Sequence, residues 1–120
     1  MTNTGLDVLV NNAGANWGAP LQEYPDKGFG KVLTLNLHRV FTLTQQLVPL
    51  LVAGQPEQGP FTDPSRIINI GSIDGLRVPK LETYAYSASK AGLTMLSNAL
   101  ASKLGERGVT CVRSHFLGRL

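Results

Sequence analysis

The first apolar run, Leu6-Asp7-Val8-Leu9-Val10, is β-prone and ends at the polar and glycine break Asn11-Asn12-Ala13-Gly14, the pattern of a buried strand followed by a turn. From about Pro25 to Ala53, apolar side chains recur at Phe29, Val32, Leu33, Leu37, Val40, Phe41, Leu47, Val48 and Leu51, the spacing of a helix with one buried face. Gly28 and Gly30 weaken its first turn, Pro49 is placed to kink its end, and Gly54 stops it. Gln55 to Ser65 carries Pro and Gly breaks and reads as an exposed loop with little expected function. Arg66-Ile67-Ile68-Asn69-Ile70 predicts a second strand, nearly continuous in apolar character, as strands covered by helices on both faces are. A loop over Gly71-Ser72-Ile73-Asp74-Gly75 and Val78-Pro79 leads into a helix over Thr83 to Leu104, closed by Gly105 and Gly108, and then a last strand, Val109-Thr110-Cys111-Val112. Strand, helix, strand, helix, strand, with helices too long for hairpin connections, predicts parallel strands and right-handed crossovers. The expected fold is α/β, part of a doubly wound parallel sheet.

Composition narrows this reading. The 120 residues, 42% apolar and 16% charged with a net charge of +3, suit one folded domain and exclude disorder as the main state. Apolar stretches such as Leu47 to Ala53, with Pro49 inside, are far too short to cross a bilayer. Neither a secretory nor a transit pattern is visible at Met1-Thr2-Asn3-Thr4-Gly5, so a cytoplasmic location without membrane partners is expected. The pI of about 9.3 comes from scattered basic residues, not from a cluster interleaved with aromatics, so no nucleic-acid partner is expected. His38 and His115 lie far apart with no thiol or carboxylate pattern around them, and no metal site is expected. Cys111, the single cysteine, is expected to pack between apolar neighbours.

In a sheet of this kind ligands bind beyond the carboxyl ends of the strands, which selects Asn11 to Gly14 and Gly71 to Gly75. The small residues of Asn12-Ala13-Gly14 would let the backbone approach a planar ligand; a plain turn is the competing reading. Asn36 projects from the apolar stripe of the first long helix, either as a satisfied core amide or as a functional one. Tyr86 and Lys90 share a helix face; such pairs are commonly solvated, but Ser72, leaving the preceding strand at its carboxyl end, can join them through one crossover. The chemistry open to this set is proton transfer to a carbonyl during hydride transfer. Lowering a phenol from a pKa of about 10 to about 7 needs roughly 4 kcal/mol of preferential phenolate stabilisation. Lys90 would supply charge, Ser72 would hydrogen-bond the reacting oxygen, and Asn36 could hold a water connecting Lys90 to solvent. Trp17 and Tyr24, in the loop after the first strand, could border a substrate or be ordinary loop aromatics.

Asp7-Val8-Leu9-Val10-Asn11-Asn12-Ala13-Gly14, the following Asn36, Ile70-Gly71-Ser72 and Tyr86-Ser87-Ala88-Ser89-Lys90-Ala91-Gly92 together resemble the short-chain dehydrogenase/reductase family. The resemblance covers about Leu6 to Val112. It implies a Rossmann-like domain in which Asn36, Ser72, Tyr86 and Lys90 are the catalytic residues. It further implies that Asn11, Ala13 and Gly14 line the adenosine side of NADP or NAD, with NADP favoured, and that Tyr86 and Lys90 also touch the nicotinamide ribose. The loop Ile73-Asp74-Gly75-Leu76-Arg77 and the run Glu82-Thr83-Tyr84-Ala85-Tyr86 are most similar to 3-oxoacyl reductases of the rhamnolipid-pathway type. A carbonyl or alcohol substrate and a homo-oligomeric full-length enzyme are implied with them.

The family's Gly-rich strand, turn and helix that cradle the pyrophosphate have no counterpart in this sequence, nor does the Pro-Gly turn that follows its last strand. Residues 1–120 are therefore expected to form one partial catalytic domain, truncated at both ends, with 113–120 as an atypical tail. Its unsupported first strand is expected to leave an apolar edge exposed. A second reading, from a different class, is a catalytically inactive fragment that pairs with full-length relatives.

Overall fold

The computed structural model describes residues 5–116. Three strands, β1 (Val8–Asn11), β2 (Ser65–Ser72) and β3 (Val109–Phe116), form one sheet in the order β1-β2-β3. Both pairings are parallel; Val8 lies opposite Arg66, and Ser65 opposite Val109. Helices α1 (Asp26–Leu33) and α2 (Arg39–Val52) fill the first crossover, and α3 (Tyr84–Leu104) the second. The alternation of elements expected from the hydrophobic pattern is the alternation observed.

Three departures from expectation have physical causes. The first long helix is not uniformly α-helical: between α1 and α2, Thr34–His38 form a π-helical turn, with the buried Asn36 in its middle. Apolar spacing does not register such a local widening, which is common at functional sites. Strand β2 was expected to be covered on both faces, yet α2 and α3 lie on one. On that side Leu51, Ile67, Leu104, Val109 and Cys111 form a continuous core, while Val8, Val10 and Val112, on the other side, are 44%, 51% and 52% exposed. Both crossovers step the same way across the sheet, and right-handed connections then place both helices on the same face. Finally, β3 continues past Val112 to Phe116, so the first part of the segment expected as an atypical tail pairs with β2 from Asn69 to Ser72. Residues 117–120 of that segment, like residues 1–4, lie outside the described residues.

A buried polar seam ties the sheet to the helices. Asn11 Nδ2 donates to Asn69 Oδ1 at 2.7 Å, and Asn69 Nδ2 donates to Ser97 Oγ at 2.9 Å. Ser97 Oγ in turn donates to Leu93 O at 2.8 Å, and Thr44 Oγ1 lies 3.5 Å from Asn11 Nδ2. A buried amide without partners would destabilise the fold, whereas one that bridges strand to strand and strand to helix fixes their relative position. At the opposite end of the sheet Gly108, at φ 81°, turns the chain from α3 into β3. A Cβ there would stand 2.6 Å from the Phe61 ring, so this glycine also lets the loop before β2 close over the turn.

The one-sided core makes a stability prediction. Ile67 is fully buried, and Ile67→Ala is expected to lower unfolding free energy by about 2–5 kcal/mol. Val10→Ala, on the uncovered face, is expected to change it by less than about 1 kcal/mol. Urea midpoints of the two variants would read this, and equal losses would contradict the assignment of faces.

Candidate active site

Strand β2 delivers Gly71 and Ser72, both buried, to the carboxyl edge of the sheet. Ser72 Oγ accepts from Asp74 N at 3.2 Å and caps the tight turn Ile73–Gly75. That turn presses directly onto α3: a Cβ on Gly75 would lie 2.7 Å from the Lys90 carbonyl carbon and 2.8 Å from Ala91 N. Only a residue without a side chain lets the end of β2 approach α3 so closely.

On α3, Tyr86 and Lys90 are one turn apart and only 6% and 7% exposed, so they are not a solvated surface pair. Lys90 Nζ sits 5.6 Å from the Tyr86 ring centroid and donates to Ile70 O at 3.0 Å. Burial pushes the Lys90 ammonium below its ordinary pKa of 10.5.

Asn36, 1% exposed, clamps the loop that leaves β1. Its Oδ1 accepts from Ala15 N at 2.8 Å, while its Nδ2 donates to Ala15 O at 2.8 Å and to Ser89 Oγ at 3.1 Å. It is a satisfied amide, and its position also puts it beside Tyr86 and Lys90. A Cβ on Gly14 would lie 3.4 Å from Asn36 Oδ1 and 3.9 Å from Lys90 Nζ. The space left by the missing side chain therefore joins the Asn36 carbonyl to the Lys90 ammonium.

Asn12, Gly14, Ala15, Gly71, Tyr86 and Lys90 are among the residues that line a cleft of about 390 Å³, within the range that holds small ligands. Three other hollows are larger, one along the loop from Asp74 to Tyr84, one across the outer faces of α1 and α3, and one between Trp17 and Glu82, but none contains Tyr86 or Lys90. Of the residues singled out from sequence, Gly14, Tyr86 and Lys90 line the smaller cleft, Asn36 reaches it across Gly14, and Ser72 stands at the strand end beside it. Asn11 and Ala13 do not line it. The Asn11 side chain turns beneath the sheet to Asn69, because alternate strand residues point to opposite faces and Asn11 falls on the helix side. Asn12, Ala15, Gly71 and Gly75 were not singled out individually; Gly75, three residues after Ser72 in a turn, was the one with a readable signal.

Trp17 and Tyr24 pack the loop after β1 onto its surroundings. A Cβ on Gly28 would meet the Trp17 ring at 2.7 Å, and Tyr24 Oη donates to Trp17 O at 2.8 Å. Tyr24 also sets its ring edge-on to Phe29 and Tyr84. Cys111 is buried in the core, where desolvation pushes its thiol up. No helix among the described residues is long and apolar enough to cross a membrane.

The family model for short chain dehydrogenase matches residues 2–115. The chain is 48% identical over 99 residues to the rhamnolipids biosynthesis 3-oxoacyl-[acyl-carrier-protein] reductase of Pseudomonas aeruginosa, a match that covers 82% of this chain and 37% of that protein. It is 36% identical over 107 residues to an acetoacetyl-CoA reductase of an Acinetobacter species, covering 89% of this chain and 39% of the relative. Among solved structures, the Pseudomonas aeruginosa RhlG/NADP active-site complex superposes with a TM-score of 0.81 at 44% identity, over 91% of this chain and 41% of that one. The chain thus spans well under half the length of these proteins.

The buried ammonium has a measurable consequence. Lys90 titrates below its unfolded value, so between the two values the unfolded chain binds more protons and stability rises with pH. Below that window the charged form is buried at a net cost. Lys90→Met removes the charge, and the variant is expected to gain on the wild type at pH 7 and to lose that advantage as pH rises toward 10.5. Urea denaturation of both proteins across this range checks it; a pH-independent difference would show that desolvation of Lys90 does not control the site.

Proposed function

Because the chain belongs to the short-chain dehydrogenase family, we propose that it is the catalytic portion of a nicotinamide-dependent oxidoreductase that interconverts a carbonyl and a secondary alcohol. The observation that carries the reading is the buried phenol of Tyr86 beside the buried ammonium of Lys90, in one cleft at the carboxyl edge of a parallel sheet. The cleft suits the ribose and nicotinamide end of the cofactor: a side chain on Gly14 would fill the space next to Lys90, and the backbone from Asn12 to Ala15 is open to a flat group. Gly14, Tyr86 and Lys90 would hold it. When bound, the cofactor supplies or accepts the hydride.

Tyr86 gives a proton to the carbonyl oxygen in reduction and removes one from the alcohol in oxidation. Lys90 stabilises the phenolate, and the burial that makes its own charge costly also strengthens its field at Tyr86. Ser72 accepts from Asp74 N, which leaves its O–H to donate to the reacting oxygen as negative charge grows there. A water over Gly14 would bridge Asn36 Oδ1 and Lys90 Nζ and return protons to Lys90.

Similarity to the 3-oxoacyl reductase and to the NADP complex supports a 3-oxoacyl substrate and NADP as the preferred cofactor. A non-catalytic pairing module finds no support among the relatives. The enzyme is further proposed to act in the cytoplasm, which cell fractionation would test. It is proposed to work as a homo-oligomer through the hollow bordered by Leu33, Leu37, Phe41 and Leu96; a monomeric mass for the full-length protein in light scattering would remove that part.

The central test is titration of the chain with NADPH and NADH followed by turnover of an acetoacetyl thioester. Saturable binding, tighter for NADPH, is expected, with turnover reduced about 10²–10⁴-fold in Tyr86→Phe while cofactor binding persists. Undiminished turnover in Tyr86→Phe would overturn the assignment.

A further inference from the structure

Ser89 lies between the two reactive residues of α3 and is fully buried, yet it touches neither reacting group. Its hydroxyl donates to Tyr86 O at 2.8 Å and accepts from Asn36 Nδ2 at 3.1 Å. A serine inside a helix commonly bonds back to its own preceding turn; this one in addition receives a bond from another element. Asn36 holds both the N–H and the C=O of Ala15 with its remaining capacity. An unbroken chain of hydrogen bonds therefore runs from the loop over the cleft, through the π-helical turn, to the backbone of the reactive tyrosine.

We infer that Ser89 is a positioning residue, whose hydroxyl transmits the placement of Asn36 and the Ala15 loop to Tyr86 and so sets the phenol against Lys90. The inference rests on the oxidoreductase reading above. Two observations separate it from simple packing. The helices cross closely at this point, where a Cβ on Gly92 would lie 2.9 Å from Leu37, so the bond from Asn36 to Ser89 spans a tight crossing. The helix itself does not require such hydroxyl bonding: Ser87, two residues earlier, has a buried hydroxyl with no partner. At position 89 an alanine would remove the acceptor of one Asn36 amide hydrogen inside the core.

The test compares wild type, Ser89→Ala, Ser89→Cys and Ser87→Ala by ultraviolet titration of the Tyr86 phenol, isolated by subtracting the signal of Tyr86→Phe, and by steady-state kinetics with NADPH. Ser89→Ala is expected to raise the apparent phenol pKa by about 0.5 unit or more. It is also expected to lower kcat about tenfold, with KM for the cofactor changed less than about twofold. Ser89→Cys, a weaker donor and acceptor of similar size, should fall between, and Ser87→Ala should match wild type. A Ser89→Ala protein that titrates and turns over like wild type overturns the inference, as does one that melts lower with an unshifted phenol. Should Ser89→Ala not fold, Ser89→Cys is judged by the same criteria. Should the wild type transfer no hydride, the oxidoreductase reading fails, while the phenol titration still decides whether Ser89 positions Tyr86.

Discussion

Holding a lysine ammonium out of water at the end of a parallel strand is the constraint around which the site is arranged. An isolated buried charge would shift its pKa or destabilise the fold unless polar partners surround it. The Ile70 carbonyl at 3.0 Å is one such partner, one residue beyond the point where the neighbouring β1 ends with Asn11 opposite Asn69. The turn must then pass directly over the helix that carries Lys90, which is why Gly75 has no room for a side chain. Tyr86 offers the face of its ring from the preceding helical turn, and Gly14 leaves space on the remaining side. Each neighbour of Lys90 thus answers a requirement of the same buried charge, although the neighbours come from separate parts of the chain.

Two sets of buried amides divide the work. Asn11 and Asn69 lie within the sheet and bond to each other and to Ser97, so they lock β1, β2 and α3 together from beneath. Asn36 lies in the helix layer and bonds to loop backbone and to Ser89, so it sets the loop over the cleft. Both sets are hydrogen-bonded inside the fold, and neither could be replaced by apolar residues without leaving its partners unpaired. The distinction is geometric: a strand residue reaches only the face its pleat assigns, while a residue in a widened helical turn can reach past its own helix.

Sequence periodicity made the architecture legible because each strand and helix buries one face, and the alternation of the two element types allows few topologies. The motif resemblance drew attention to Asn36, Ser72, Tyr86 and Lys90 because their spacing places them on elements that meet at one sheet edge. Other features were not legible. The π-helical turn at Thr34–His38 keeps Leu37 in the apolar stripe and leaves that stripe almost unchanged. The direction of Asn11 follows from its being the last residue of β1, whereas the sequence pattern put it in the break after the strand. The bare sheet face followed from the handedness of two successive crossovers, whereas the apolar content of β2 suggested cover on both sides. The close approach at Gly75 is a property of two elements together, and no window of sequence contains both.

The burial of Lys90 sets a limit on the stability of this region. A charge that is easily solvated would be cheap to hold but screened from Tyr86; a charge in a low-dielectric site acts strongly on the phenol but opposes folding. The structure meets this with geometry instead of a counter-ion: the partners given to Lys90 are a carbonyl dipole and an aromatic face, with no carboxylate in an ion pair with it among the described residues. A carboxylate there would stabilise the ammonium but cancel its field at Tyr86. Neutral partners solvate the lysine without neutralising it, and the rest of the core must supply the stability that a counter-ion would have given. That support comes from two places on the helix side of the sheet: the polar seam of Asn11, Asn69 and Ser97 toward the carboxyl ends of the strands, and the apolar cluster of Leu51, Ile67, Leu104, Val109 and Cys111 beneath the amino-terminal parts of β2 and β3.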